Sequence, residues 1–292
     1  MLDLIMAGYL YATPSMNDWG KIESAPDKQI EISAAHFPVA LNNTPAPQIS
    51  AEYALAFDAD SASVLYEKNA DEPTPIASLT KLMTALIVAE KLNPEDSVII
   101  PKDSRKQSVL LTKVIGLPVG SVMNVRDLVA GMLITSAGDA ALSLAVDISG
   151  TEEKFVGEMN QKARELNLQR TTFSDAFGLS VGDISTPREL TWLFAHAWRK
   201  PLLREMLGVK SMQICPEKMK CYIVNSTNAL LENTEFKVLG AKTGTTDVAG
   251  ECLVLAVESP QGSTVFLTLL KSTDRWGDAK KILRWAFENY SI

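Results

Sequence analysis

Hydrophobic and polar residues alternate in two short runs near the start of the chain and in two longer runs near its end. Residues 53–57 and 63–67 flank the polar stretch 58–62, a pattern that predicts a β-hairpin. Residues 251–257 and 264–270 are separated by a turn with proline and glycine, which predicts a second hairpin. Strand-forming segments are therefore expected at both ends of the folded chain.

The middle of the chain has helical spacing instead. Residues 124–134 and 152–166 repeat apolar positions at helical intervals. A third helix begins at residues 186–189, with threonine as N-cap, proline at the first position and glutamate completing a capping box. A last helix is expected over residues 275–290. These elements predict an α+β fold, in which both termini form one antiparallel sheet and a helical subdomain is inserted between them.

The first fifty residues lack these periodic patterns. Residues 13–50 are rich in Pro, Ser, Ala and Asn, so order is expected to begin near Glu52. Residues 1–12 are short and apolar but contain Asp3 and no basic residue, a poor match to a signal peptide. We therefore divide the chain into residues 1–50, a tether or the remnant of an export or anchor segment, and residues 51–292, a single domain.

Composition narrows the range of partners. The 292 residues are 46% hydrophobic and 22% charged, as expected for a globular protein with a substantial core. A net charge of -7 argues against nucleic acid or an anionic membrane surface as the partner. No apolar run reaches the length of about 18 residues that a membrane-spanning helix needs.

The chain has three cysteines. Cys215 and Cys221 are six positions apart, which suits either a short hairpin closed by a disulfide or a pair of reduced thiols. Cys252 lies in an apolar run and is expected to be a small buried residue. Because neither a metal-ligand spacing nor a CxxC pair is present, we assign no metal.

The tetrad SLTK at residues 78–81 is the first candidate for chemistry. On a helix, Ser78 and Lys81 share a face, so the hydroxyl and the amine come within hydrogen-bonding reach. A serine hydroxyl becomes a good nucleophile when a neighbouring base takes its proton, and a desolvated lysine can be that base. Taken alone, the tetrad also fits a surface serine near a solvated lysine.

Two further motifs lie downstream. In GAKTGTT at residues 240–246, a lysine and two hydroxyls form a cradle suited to a carboxylate, and the glycine Gly244 allows a substrate backbone to approach closely. In TSAGDAA at residues 135–141, Ser136 lies at the junction of two helical segments. It could relay a proton or simply cap a helix.

With these three motifs in this order, the chain resembles the penicillin-binding D-alanyl-D-alanine carboxypeptidases, which are relatives of the serine β-lactamases. The resemblance runs from about residue 52 to residue 290. It also includes YEKNAD at 66–71, FSDAFGL at 173–179, STPREL at 185–190, TNALL at 227–231 and AGECLV at 249–254. It implies the β-lactamase/transpeptidase-like fold.

The resemblance also implies the catalytic roles. Ser78 would form the acyl-enzyme and Lys81 would be its general base. Ser136 would bridge protons between Lys81, Lys242 and the leaving amine. The oxyanion hole would combine the backbone N–H groups of Ser78 and Thr245.

Substrate binding is implied for the third motif. Lys242, with Thr243, Gly244 and Thr245, would hold the C-terminal carboxylate of the peptide. By a weaker analogy, Arg188 would assist with the same carboxylate.

One position departs from the family pattern. The second motif of the family is Ser-x-Asn, whose amide contacts the substrate backbone and the catalytic lysine, whereas the third position here is Gly138. Losing one positioning hydrogen bond typically costs about 1–3 kcal/mol, or about one to two orders of magnitude in rate. This departure keeps open an alternative, a catalytically weak or inactive penicillin-binding sensor or scaffold.

Two other enzyme classes fit less well. A Ser-His-Asp triad is disfavoured because the two histidines are His36, in the predicted tether, and His196, in the middle of a helix. One group of β-lactamases needs a Glu-x-x-Leu-Asn loop, and the run Glu165-Leu166-Asn167 has the wrong spacing.

The function implied by the resemblance is a serine D,D-carboxypeptidase that trims the terminal D-alanine from peptidoglycan stem peptides. Its partners would be pentapeptides ending in D-Ala-D-Ala and β-lactam antibiotics, and it would need no cofactor. The substrate implies a location outside the cytoplasmic membrane. Membrane association would be possible only through a missing or weak N-terminal segment.

Overall fold

The structure is a computed structural model that describes residues 37–42, 44–232 and 235–292. The α-helices in these ranges are α1 (Lys81–Lys91), α2 (Gln107–Leu110), α3 (Val125–Ile134), α4 (Gly138–Ser149), α5 (Glu152–Glu165), α6 (Pro187–Trp198), α7 (Pro201–Gly208) and α8 (Arg275–Asn289). The strands in the same ranges are β1 (Val39–Ala40), β2 (Tyr53–Asp58), β3 (Ser63–Lys68), β4 (Thr74–Pro75), β5 (Ser97–Ile99), β6 (Val122–Asn124), β7 (Ile184–Ser185), β8 (Ser211–Ile214), β9 (Tyr222–Asn225), β10 (Lys237–Thr246), β11 (Gly250–Glu258), β12 (Thr264–Ser272) and β13 (Tyr290–Ser291).

A five-stranded antiparallel sheet joins the two ends of the chain. Its order is β10-β11-β12-β2-β3, so the first hairpin pairs with the last one through β2 and β12. Both hairpins predicted from alternation are confirmed, as are the helical middle and the terminal helix. The fold is therefore the α+β arrangement that the sequence predicts.

Both faces of this sheet are buried. In β11, Val254 and Ala256 pack against the helical subdomain, whereas Leu253 and Leu255 pack on the opposite side with residues of α8. Successive side chains of a strand point to opposite faces, so a sheet covered on both sides needs a nearly continuous apolar run. This requirement explains why the strands after residue 250 contain more apolar residues than a strand with simple alternation would.

The helix starts follow the predicted capping chemistry, with one difference. The Thr186 side chain accepts a hydrogen bond from the Glu189 N–H at 3.1 Å, as an N-cap should. The Glu189 carboxylate instead accepts hydrogen bonds from the Arg170 N–H and the Thr171 hydroxyl. The predicted second half of the capping box is therefore wrong, because a packed loop takes the glutamate.

Order begins earlier than predicted. β1 pairs with β13, and the Asp278 carboxylate in α8 accepts hydrogen bonds from the Ser50 N–H at 2.9 Å and the Ala51 N–H at 2.8 Å. The described residues between Val39 and Ala51 are thus attached to the C-terminal helix, which a sequence without periodicity does not reveal. Residues 1–36 and residue 43 of the predicted tether lie outside the described residues.

The structure decides between a disulfide and reduced thiols for the two neighbouring cysteines. Cys215 and Cys221 form a disulfide between β8 and β9, and Cys252 is buried in β11. In the described ranges, no helix is long and apolar enough to cross a bilayer.

Candidate active site

A cleft of about 370 Å³ opens where the helical subdomain meets the edge strand β10. Five residues that the sequence singled out line it: Ser78, Ser136, Thr243, Gly244 and Thr245. The structure therefore brings together three motifs that are separated by more than fifty residues in the chain.

The nucleophile candidate lies on a tight turn that leads into α1. Ser78 belongs to a 3-10 helix over Ala77–Thr80, and Ala77 has a positive φ of 49°. Lys81 Nζ lies 3.0 Å from Ser78 Oγ and donates a second hydrogen bond to the Phe177 carbonyl oxygen. The expected i, i+3 contact therefore forms across the boundary between the 3-10 helix and α1.

Lys81 is fully buried, and its environment favours the neutral amine. Burial lowers the pKa of Lys81 from 10.5 to about 7, although the negative charges of Asp175 and Asp139 act in the opposite direction. A substantial fraction of the side chain is therefore unprotonated near neutral pH. Only this form can accept the Ser78 proton.

The Phe177 carbonyl is held in place by a neighbouring carboxylate. Asp175 accepts hydrogen bonds from the backbone N–H groups of Phe177 at 2.8 Å, Leu179 at 2.9 Å and Ser180 at 2.6 Å, and from that of Gly178. Four donors on one side chain fix the curvature of the loop. That curvature places the carbonyl beside the Lys81 amine.

A second buried carboxyl group supports this loop. Asp183 is 0% exposed, and its Oδ1 accepts hydrogen bonds from the Ser174 N–H at 2.6 Å and the Asp175 N–H at 3.2 Å. Burial and the negative charge of Asp175 raise the pKa of Asp183 from 3.8 to about 8. Asp183 therefore stays protonated at neutral pH, which avoids two adjacent buried negative charges.

The second motif meets the third through Ser136 and Lys242. Ser136 has a positive φ of 66° between α3 and α4, and its Oγ accepts a hydrogen bond from Lys242 Nζ at 2.8 Å. Burial and the positive charges of Lys81, Lys113 and Arg275 lower the pKa of Lys242 well below its usual value. A bound carboxylate would counter this shift and favour the ammonium form.

The structure gives a reason for glycine at position 244 that differs from the one expected. A Cβ added there would lie 2.9 Å from the Ser78 backbone nitrogen and 3.0 Å from Ala77 Cβ. The space beside Gly244 is thus filled by the protein's own nucleophile turn, whereas the sequence suggested the approach of a substrate backbone. The glycine allows β10 to pack directly against that turn.

Arg188 lies outside the cleft, which corrects the expectation that it assists substrate binding. Its guanidinium pairs with Asp71 at 2.8 Å and with Glu67 at 3.0 Å, two carboxylates beside the end of β3. These bonds tie the first turn of α6 to the first hairpin. Arg188 is therefore not among the described residues that line the cleft.

Arg275, which the sequence analysis missed, lines the cleft instead. Its side chain is 6% exposed, donates to the carbonyl oxygens of Gly244 at 2.8 Å and Cys252 at 2.9 Å, and also donates to Thr245 Oγ1. One signal was available in the sequence. Arg275 is the first residue of a predicted helix, where the helix dipole disfavours a cation unless another interaction holds it.

Comparison with known proteins identifies the family of the chain. A family model described as D-alanyl-D-alanine carboxypeptidase matches residues 40–270. A D-alanyl-D-alanine endopeptidase of Pseudomonas aeruginosa is 33% identical over 82% of this chain and 77% of its own length. The D-alanyl-D-alanine carboxypeptidase DacC of Escherichia coli is 33% identical over 83% of this chain, which spans only 62% of that relative.

Solved structures agree on the fold. The Streptomyces K15 DD-transpeptidase matches with a TM-score of 0.77 and 30% identity, over 84% of this chain and 100% of the other. A D-alanyl-D-alanine carboxypeptidase from Mycobacterium tuberculosis matches with a TM-score of 0.79 over 87% of this chain and 98% of the other. At 23% identity, the second similarity concerns the fold alone.

The lowered pKa of Lys81 predicts how acylation depends on pH. Below its pKa of about 7, the second-order rate of Ser78 acylation by a penicillin should rise about tenfold per pH unit, and it should level off above that pH. Stopped-flow measurements between pH 5 and pH 9 give this profile. Lys81→Arg, which keeps the charge but cannot lose its proton, should abolish acylation. A wild-type rate that is flat or falls between pH 5 and pH 7 would exclude Lys81 as the base.

The protonated Asp183 predicts a pH-dependent stability. Its folded pKa is raised, so the folded state binds the proton between about pH 4 and pH 8 while the unfolded state has lost it, and stability falls as pH rises through this range. From pH 5 to pH 8 the contribution is on the order of 3 kcal/mol. Asp183→Asn should lack this part of the slope in urea unfolding.

The matched control is Glu165→Gln, which changes an exposed carboxylate at the end of α5. It should reproduce the wild-type pH dependence. The same loss of stability from pH 5 to pH 8 in Asp183→Asn as in the wild type would show that Asp183 is ionised in the folded protein.

Proposed function

The chain belongs to the D-alanyl-D-alanine carboxypeptidase family and is a serine peptidase of the penicillin-binding type; from this premise we propose that Ser78 carries the acyl-enzyme. The proposed reaction removes the terminal D-alanine from peptidoglycan stem peptides. The observation that carries the proposal is the buried Lys81 amine 3.0 Å from Ser78 Oγ.

Acylation would proceed through this pair. Ser78 Oγ attacks the carbonyl carbon of the penultimate D-alanine while its proton passes to Lys81 Nζ. The backbone N–H groups of Ser78 and Thr245 stabilise the negative oxygen of the tetrahedral intermediate. When the peptide C–N bond breaks, the proton reaches the leaving D-alanine amine through Ser136, whose hydroxyl is bonded to Lys242.

The C-terminal carboxylate of the substrate would bind at the β10 side of the cleft. Thr243 and Thr245 line this side. Lys242 Nζ donates to the Thr243 carbonyl oxygen and to Ser136 Oγ, and Arg275 donates to Thr245 Oγ1. A carboxylate is the ligand that such a cluster of donors and cations prefers. This placement makes Arg275, rather than Arg188, the arginine of the binding site.

Hydrolysis of the ester completes the cycle, and water replaces the departed D-alanine. None of the described residues that line the cleft is a carboxylate. Glu165, the residue weighed as a β-lactamase glutamate, lies at the exposed end of α5. The site is therefore suited to a long-lived penicilloyl ester rather than to rapid β-lactam hydrolysis.

A location outside the cytoplasmic membrane is part of the proposal. Peptidoglycan stem peptides are presented there, and β-lactams reach the site from the same side. The Cys215–Cys221 disulfide supports this placement, because disulfides persist mainly in oxidising compartments.

Gly138 favours a second candidate function, a penicillin-binding sensor that is acylated without efficient turnover. The residue begins α4 directly beside Ser136 and has no side chain to position a substrate amide. The two candidates share the acylation step and differ only in the fate of the acyl-enzyme.

The test of function separates these cases. The wild-type protein incubated with a fluorescent penicillin should carry a covalent label on a denaturing gel, and Ser78→Ala should carry none. Ser97→Ala, which changes an exposed serine of β5, is the matched control and should label normally. An unlabelled wild type would refute the acyl-enzyme. Label without D-alanine release from a pentapeptide would favour the sensor.

The two arginines give a second prediction. Arg275→Gln should raise the KM for a peptide ending in D-Ala-D-Ala by about tenfold or more, since one charged hydrogen-bonding partner of the carboxylate site is lost. Arg188→Gln is the matched control and should leave KM within about twofold. Steady-state D-alanine release measures both. The reverse ranking would return the carboxylate to Arg188.

A further inference from the structure

The segment 107–117, which we call the strap, lies across the beginning of α4. The Gly138 N–H donates to the Lys113 carbonyl oxygen at 2.7 Å. The Asp139 carboxylate accepts hydrogen bonds from three strap N–H groups, those of Ile115 at 3.1 Å, Gly116 at 2.8 Å and Leu117 at 3.2 Å. Gly138 and Asp139 together therefore hold the strap against the second motif.

Thr112 fills the space that a side chain at position 138 would need. A Cβ added to Gly138 would overlap Thr112 Oγ1 and lie 3.2 Å from Thr112 Cβ and 3.5 Å from its Cγ2. A side chain at position 138 would therefore have to displace the Thr112 hydroxyl from this place. The glycine that departs from the family motif is thus the residue against which the strap packs.

The Thr112 hydroxyl lies at the cleft and is available as a hydrogen-bond acceptor. It lines the cleft and uses its one proton in bonds to the carbonyl oxygens of Val109 at 2.6 Å or Lys113 at 3.0 Å. A hydroxyl whose proton is engaged can still accept a hydrogen bond. Thr112 can therefore receive an N–H group of a bound peptide.

Lys113 supplies the complementary donor. It lines the cleft, is exposed, and forms no ion pair with any described carboxylate. Its positive charge is close enough to lower the pKa of Lys242. The ammonium is therefore available to a carbonyl or carboxylate oxygen of a ligand in the cleft.

We propose that the strap replaces the missing second-motif side chain, with Thr112 Oγ1 accepting from a peptide N–H and the Lys113 ammonium donating to an oxygen of the same peptide. Together these groups reproduce the acceptor and the donor of a carboxamide. Unlike a carboxamide, Lys113 carries a charge. The strap therefore favours peptides with a side-chain carboxylate just before D-Ala-D-Ala over their neutral counterparts.

This inference rests on the proposed function for its substrate class, so its test uses binding without chemistry. In a Ser78→Ala background, calorimetric titration compares two N-acylated peptides, X-D-Ala-D-Ala, where X is either glutamate or glutamine. The glutamate peptide should bind about tenfold more tightly. Lys113→Met should remove this preference, whereas Thr112→Val should weaken both peptides about equally.

Lys106→Met is the matched control, because Lys106 is an exposed lysine of the preceding turn that does not line the cleft. It should leave both affinities unchanged. If Lys113→Met binds each peptide as tightly as its parent does, the inference is overturned. It is also overturned if the parent binds neither peptide. If peptide preference depends on the strap but wild-type Ser78 takes no penicillin label, the acyl-enzyme proposal fails and the strap inference stands.

A pair of size-changing substitutions tests the contact between Thr112 and Gly138 independently. Gly138→Asn should lower the thermal unfolding midpoint and weaken binding of both peptides, because Thr112 must leave its place. Adding Thr112→Gly should restore the midpoint and return binding, with the preference for glutamate kept because Lys113 is unchanged. If Gly138→Asn alone has wild-type stability and wild-type affinity for both peptides, Thr112 does not occupy the position that we assign to it.

Discussion

The chemistry of the site depends on the desolvation of one lysine. Lys81 is 0% exposed, and its described hydrogen bonds go to one hydroxyl and one carbonyl oxygen, neither of which carries a charge. Burial therefore brings its pKa to about 7, and the amine can act as a base near neutral pH. The residues packed around Lys81 exclude water from it, and Asp175 keeps the Phe177 loop in place.

Two glycines from distant parts of the chain allow close packing around Ser78 and Lys81. A Cβ on Gly178 would lie 2.8 Å from Ser78 Cα, and a Cβ on Gly244 would lie 2.9 Å from Ser78 N. The loop that carries Gly178 and the strand that carries Gly244 both pack directly against the turn over Ala77 and Ser78. Rigidity comes from this close backbone packing, and the carboxyl pair of Asp175 and Asp183 keeps the loop in shape without placing two charges beside the lysine.

The parts of the site that the sequence predicted are local or belong to a motif. The Ser78–Lys81 contact follows from spacing on one helical face, and each hairpin follows from adjacent alternating runs. The wrong or missing parts depend on contacts across the fold. Arg188 meets Asp71 more than a hundred residues away, and Arg275 reaches β10 only once the sheet is assembled. Likewise, the sequence indicated only that Gly138 lacks the amide of the family motif. Thr112 is brought beside it by tertiary packing, which the sequence pattern does not show.

The strand order has a consequence for when the protein becomes chemically competent. Ser78 and Lys81 are made early in synthesis, but the strand that packs against them, β10, is made about 160 residues later, and β12 must pair with β2 to complete the sheet. In the unfolded chain Lys81 is exposed to water and has an ordinary lysine pKa, so Ser78 has no neutral amine beside it. An unfolded chain is therefore expected to be chemically silent. The pairing of a serine with a desolvated lysine belongs to the folded domain, because strands from both ends of the chain take part in building it.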